Sequence, residues 1–119
     1  MAEHNKLGKK GEDLAVEYLR LKEYEILERN YRYQRAEVDI IAKRDHTLIA
    51  AEVKTRSTPE FGDPQEFVKP KQIQQLVKAV NHYVEENELD VDVRFDILAI
   101  VKNKAGTRIE HIQDAFLYF

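Results

Sequence analysis

The chain has 119 residues, 43% of them hydrophobic and 34% charged, with a formal net charge of −3, which suits one globular domain with a modest core. No apolar run approaches the ~18 residues of a membrane helix and the opening MAEHNKLGKK lacks a signal peptide's apolar stretch, so a cytoplasmic protein without membrane contact is expected. The absence of cysteine excludes disulfides and thiol catalysis, and the acidic balance excludes a binder that relies on bulk positive charge, whose pI would usually exceed ~9.

Residues 7–22 read as a helix, because Leu7, Gly11, Leu14, Ala15, Tyr18 and Leu19 recur at helical spacing. Glu12 falls at the rim of that apolar arc, whereas Asp13 and Glu17 point to solvent. A carboxylate at the rim needs a partner. Either it is a structural acid, in a salt bridge or near the helix N-terminus, or it is delivered to a site. Residues 24–33 read as a strand, with Tyr24, Tyr31 and Tyr33 interleaved among Arg29, Arg32 and the following Arg35. Such a stretch can contact phosphates and stack on exposed bases, or can simply cover a strand edge.

Glu37–Ala42 and Leu48–Lys54 read as two strands rich in β-branched residues, with Lys43–Thr47 as the break between them. The period of two puts Glu37, Asp39 and Ile41 on one face and Leu48, Ala50, Glu52 and Lys54 on one face of the next strand. Asp39, Glu52 and Lys54 can therefore meet inside otherwise apolar strands, as an ion pair or as a working site. Two carboxylates ~4 Å apart repel by about 4 kcal/mol at an effective dielectric of ~20. One lysine cannot neutralise three acids, so a divalent cation is the simplest remedy if Glu12 joins them.

Residues 57–69, with two prolines and Gly62, read as a loop beside this hairpin. Pro70 opens a second helix with the stripe Ile73, Leu76, Val77, Val80, Tyr83 and Val84, and Lys71 and Gln75 near its start can face the site. Asp92–Val101 is a strand interrupted by Asp96, read as structural and paired with Arg94 or a loop amide. A turn at 103–106 and a strand at 108–112 follow, and the apolar tail Phe116–Phe119 must pack on the core or mark a self-association surface. The four histidines show no ligand spacing and are read as surface or turn residues. Acids gathered at 85–92 are placed at the end of the molecule away from the basic clusters. The order α-β-β-β-α-β-β suits an α/β sandwich with a mixed sheet and a helix on each side.

Asp39 followed by Glu52-x-Lys54 resembles the PD-(D/E)xK nuclease superfamily, and the flanks sharpen the match. GKKGEDLAVEYL at Gly8–Leu19, ILERNYR at Ile26–Arg32, EVDIIA at Glu37–Ala42, EVKTRS at Glu52–Ser57 and RFDILAI at Arg94–Ile100 are similar to the YraN-like family of small bacterial proteins, with Ala36 standing where that family usually has Gly. The resemblance implies a restriction-endonuclease-like α-β-β-β-α-β core, a central mixed sheet flanked by helices. It implies a metal-dependent endonuclease that hydrolyses phosphodiester bonds in DNA, branched DNA included, and a homodimer as in junction resolvases. Asp39, Glu52 and Lys54 take the catalytic positions. Asp39 and Glu52 would ligate Mg²⁺ or Mn²⁺, with Glu12 and the main-chain carbonyl of Val53 as additional ligands. Arg32, Arg35, Arg56 and Lys71 are the candidate nucleic-acid contacts. Two alternatives stand beside this: a non-catalytic nucleic-acid-binding module on the same fold, and an adaptor that uses the apolar C-terminus.

Overall fold

The computed structural model describes residues 2–58 and 69–116, and side chains from residue 10 onward. The elements run α1 (Ala2–Leu21), β1 (Glu25–Tyr33), β2 (Ala36–Arg44), β3 (Thr47–Arg56), α2 (Pro70–Glu86), β4 (Asp92–Asn103) and β5 (Gly106–Ile112). The expected α/β order is present, as one five-stranded sheet in the order β1-β2-β3-β4-β5. Only β3 and β4 run parallel; the other three neighbours pair antiparallel. That follows from the connections, because tight turns force antiparallel neighbours and only the β3–β4 crossover carries a helix.

Each sheet face buries against one helix. Ala15, Val16 and Leu19 of α1 pack with Ile40, Ala42, Ile49, Ala51, Leu98 and Ile100. Leu76, Ala79, Val80 and Tyr83 of α2 pack with Val38, Ile41, Leu48, Ala50, Phe95 and Ile97. The central strands, covered on both faces, therefore lack polar alternation. Helix α2 starts at Pro70 as its sequence dictates, and the Lys69 amide donates to Gln72 Oε1 at 3.0 Å, closing its first turn.

Helix α1 begins at Ala2, not at residue 7, so Glu12 lies more than two turns inside the helix. An interaction with the N-terminal dipole, which fades within the first turn, no longer accounts for it. Gly11 is buried against β3: a Cβ there would fall on Thr55 Oγ1 and lie 2.9 Å from Thr55 Cβ and Cγ2. The branched Thr55 Cβ cannot swing aside, so Gly11→Ala should push α1 off the sheet and cost about 1–3 kcal/mol, read as a lower urea midpoint.

Asp96 is fully buried on the α1 side, as the expected structural acid. Arg94 donates to it from Nε and Nη2 at 2.8 Å each, and the Asp114 amide donates at 3.0 Å. His111 Nε2 lies 2.7 Å from Asp96 Oδ2, and its Nδ1 lies 3.2 Å from Tyr18 Oη. His111 is therefore not a surface residue: its side chain is 7% exposed and ties β5 to β4 and α1. His46 sits in the exposed β2–β3 turn and His82 on the half-exposed flank of α2, as expected. Ala115 and Phe116 are buried in the α2 core, so the described part of the C-terminus packs inward; the rest of the apolar tail, at 117–119, lies outside the described residues. No helix among the described residues is long and apolar enough to cross a membrane.

Candidate active site

The β2–β3 ladder ends at the Ile40–Ala51 pair. One residue further out, Asp39 Oδ2 accepts a 2.8 Å hydrogen bond from the Val53 amide, so a carboxylate takes the place of a strand carbonyl. The two strands part there. Their separation opens a cleft of about 100 Å³, lined by Arg35, Glu37, Glu52, Lys54, Gln72 and Gln75, with Ala36 and Leu76 as its apolar walls.

Strict alternation does not carry Asp39 to this place. Val38 belongs to the α2 core and Ile40 to the α1 core, so the strand turns over at Asp39. Across from it, Asn30 sits between the Arg29–Ile40 and Tyr31–Val38 pairs with a left-handed φ of 53°. The consecutive residues Arg29 and Asn30 both reach Glu12 on α1. The face-sharing expected for Glu37, Asp39 and Ile41 is thus interrupted, and Asp39 meets the Glu52 strand through the break instead. Asn tolerates left-handed backbone, and Asn30 inside a strand was the available signal for it.

Glu52 is the electrostatically unusual group. Its Oε1 is buried and has no hydrogen-bond partner among the described residues. Burial first, then the adjacent Asp39 carboxylate, push its pKa up to about 8; Lys54 pulls the other way. Burial also raises Asp39, opposed by the Val53 amide, while the charges of Glu12 and Glu37 add to the rise. Lys54 is close enough to act on both acids, yet among the described residues it makes no ion pair with either. A simple Lys54 ion pair does not account for the acids.

Glu12 approaches from α1, its side chain 19% exposed, and is held by Arg29 at 3.1 Å and by Asn30 Nδ2 at 2.9 Å. The salt bridge weighed from the sequence is thus formed, while the charge of Glu12 still reaches Asp39. No group of three or more His, Asp or Glu among the described residues is closed around a single point as a metal cage. Arg35 lines the cleft. Arg32 spends its charge on Glu37 at 2.7 Å and is 80% exposed. Arg56 is exposed and bonds the Thr55 carbonyl. Lys71 is exposed on the first turn of α2, where Gln72 and Gln75 rather than Lys71 line the cleft. Most of the loop expected beside the site, residues 59–68, lies outside the described residues. The acidic segment leads into Asp92, which pairs with Thr47 at the opposite end of β3 from Lys54.

The fold and this cleft define a small mixed α/β protein with a carboxylate pair set where two strands separate. The chain belongs to the family described as Uncharacterised protein family UPF0102, which matches residues 11–100. That stretch contains Glu12, Asp39, Glu52 and Lys54. A UPF0102 protein of Christiangramia forsetii is 88% identical over the whole of both chains. One from Flavobacterium psychrophilum is 58% identical, again over both full lengths. One from Bacteroides fragilis is 47% identical, covering 98% of this chain and 96% of its own.

Proposed function

We propose that this protein is a metal-dependent nuclease of the PD-(D/E)xK type that hydrolyses phosphodiester bonds in DNA. The observation that carries the reading is the half-buried Asp39–Glu52 pair beside Lys54, with the buried Glu52 Oε1 lacking a hydrogen-bond partner among the described residues. A buried carboxylate oxygen left without a hydrogen bond costs free energy that a purely structural position has no reason to retain. The element order from α1 through β4 also matches the core expected of that superfamily.

The donors fit a hard divalent cation. Asp39 keeps Oδ1 after giving Oδ2 to the Val53 amide, and Glu52 offers Oε1. These two acids would hold Mg²⁺ or Mn²⁺, with the Val53 carbonyl and Glu12 as further oxygen donors. When bound, the cation supplies a Lewis acid for a phosphoryl oxygen and lowers the pKa of a coordinated water. Lys54 would orient the attacking water by hydrogen bonding and stabilise the charge that grows on the phosphoryl oxygens. Arg35 would hold a backbone phosphate at the cleft. Arg29 and Asn30 position Glu12 rather than touching substrate.

Linear, nicked and branched DNA incubated with the protein and Mg²⁺ or Mn²⁺ test this directly. Cleavage of at least one form is expected, lost in Lys54→Ala and in Asp39→Ala. Salt-sensitive DNA binding with no cleavage of any form would instead support a binding module without turnover.

A further inference from the structure

A second, larger cleft adjoins the carboxylate site. It measures about 440 Å³ and is lined by Tyr33, Gln34, Arg35, Ala36, Gln75 and Lys78. Three of these residues, Arg35, Ala36 and Gln75, also line the carboxylate cleft, so the two are continuous. The volume falls within the ~300–1,000 Å³ typical of small-molecule sites, and is several times that of the carboxylate cleft.

The lining is chemically mixed in a specific way. Tyr33 supplies an aromatic wall whose orientation is fixed, because its ring stacks on His82 with centroids 4.1 Å apart and planes 20° apart. Gln75 supplies an amide able to donate and accept. Arg35 and Lys78 supply two cations. Arg29, Arg32 and Arg94 are each committed to a carboxylate, whereas Arg35 and Lys78 make no ion pair among the described residues. In a chain of net charge −3, two uncommitted cations beside an aromatic ring form an anion-attracting spot on an acidic molecule. Phosphate, an aromatic base and an amide-readable base edge are the three features of a nucleotide that such a lining matches.

We infer that this second cleft is a subsite for one unpaired nucleotide flanking the phosphate held at Asp39, Glu52 and Lys54. This rests on the nuclease reading and deepens it by naming the substrate form. A base can enter a side cleft beside Tyr33 only when it is out of a duplex stack, so the strand must be single-stranded or locally opened there. Arg35, common to both clefts, would span the phosphate between the two positions. Intact duplex DNA would then be the poorest ligand.

The test separates binding from cleavage. A short oligothymidylate carrying one 2-aminopurine is titrated into Glu52→Gln protein without metal, where turnover is impossible and one negative charge beside the phosphate is gone. Quenching of the 2-aminopurine and at least about tenfold tighter binding than the same strand in duplex are expected. Tyr33→Ala should weaken single-strand binding by at least about fivefold, with Tyr33→Phe near wild type. Lys78→Ala, an exposed change that leaves the core alone, should lower the log–log salt slope by about one. Duplex bound as tightly as single strand, with no quenching and an unchanged slope in Lys78→Ala, would overturn the subsite. If wild-type protein cleaves nothing while quenching and the Tyr33 effect persist, the nuclease reading fails and the nucleotide site stands.

Discussion

Glu52→Gln should make the metal-free protein more stable at pH 8, by on the order of 4 kcal/mol. The folded protein holds the Glu52 proton up to about pH 8, against an ordinary value of 4.5. The folded state therefore binds more protons than the unfolded chain between those pH values, and stability falls as pH rises through that window. At about 1.4 kcal/mol per pH unit the whole window from 4.5 to about 8 amounts to about 5 kcal/mol, most of it already lost at pH 8. The neutral amide removes the titration and can donate to Asp39. Thermal melts in a chelator from pH 5 to pH 8 check it. Wild type should lose roughly 10 °C or more across that range, and Glu52→Gln should lose much less, its remaining slope coming from the raised Asp39 carboxyl. A wild-type melting temperature that holds steady over the range would mean that Glu52 is ionised throughout, already compensated by groups such as Lys54. The direction matters for function. On the proposed reading, a residue that destabilises the empty protein at neutral pH is retained for the cation it would bind.

Asp96 behaves in the opposite sense. Burial alone would raise its pKa, but hydrogen bonds from His111, Arg94 and the Asp114 amide outweigh burial and lower it. The stability it contributes is present above the unfolded carboxyl value near ~3.9 and is lost as pH falls through the lower folded value. Asp96→Ala leaves Arg94 and His111 without their acceptor in the interior. That should cost about 3–5 kcal/mol, measured as a shift of the urea midpoint at pH 7, and should remove the loss of stability at acid pH. Asp96→Ala protein that remains folded should still bind metal, because the network lies on the α1 face of β4 while Glu52 and Lys54 line the cleft beside α2. Equal midpoints for Asp96→Ala and wild type would contradict the account of this network.

The acids of the sheet show what the sequence can and cannot reveal. Asp96 was legible as structural, because an acid inside a long apolar strand with Arg94 two residues away already has a partner. His111 was not legible, because a lone histidine on a short strand carries no periodic signal. Its role depends on β5 lying against β4 beside a buried acid that needs donors. Asp39, Glu52 and Lys54 were legible as a group from their setting in β-branched strands. How they meet was not: alternation predicts a shared hairpin face, whereas β2 turns over at Asp39 and leaves β3. The strands and α2 were placed to within a few residues by composition and by Pro70. Helix α1 starts earlier than expected because its opening AEHNK segment is polar, so apolar spacing is silent about it. The contact between Gly11 and Thr55 likewise joins residues far apart in the chain, and only the packed helix discloses it.

Calorimetric titration of Mn²⁺ or Mg²⁺ into wild-type protein and Asp39→Ala, each with a short DNA present so that a phosphate can complete the site, tests the central claim most directly. Wild type should bind the cation, Asp39→Ala should not, and metal at ten times the Kd should stabilise the wild type by roughly 1.4 kcal/mol. No heat of binding at millimolar metal with DNA present would contradict the metal site and leave the Asp39–Glu52 pair as a strained structural feature of the sheet.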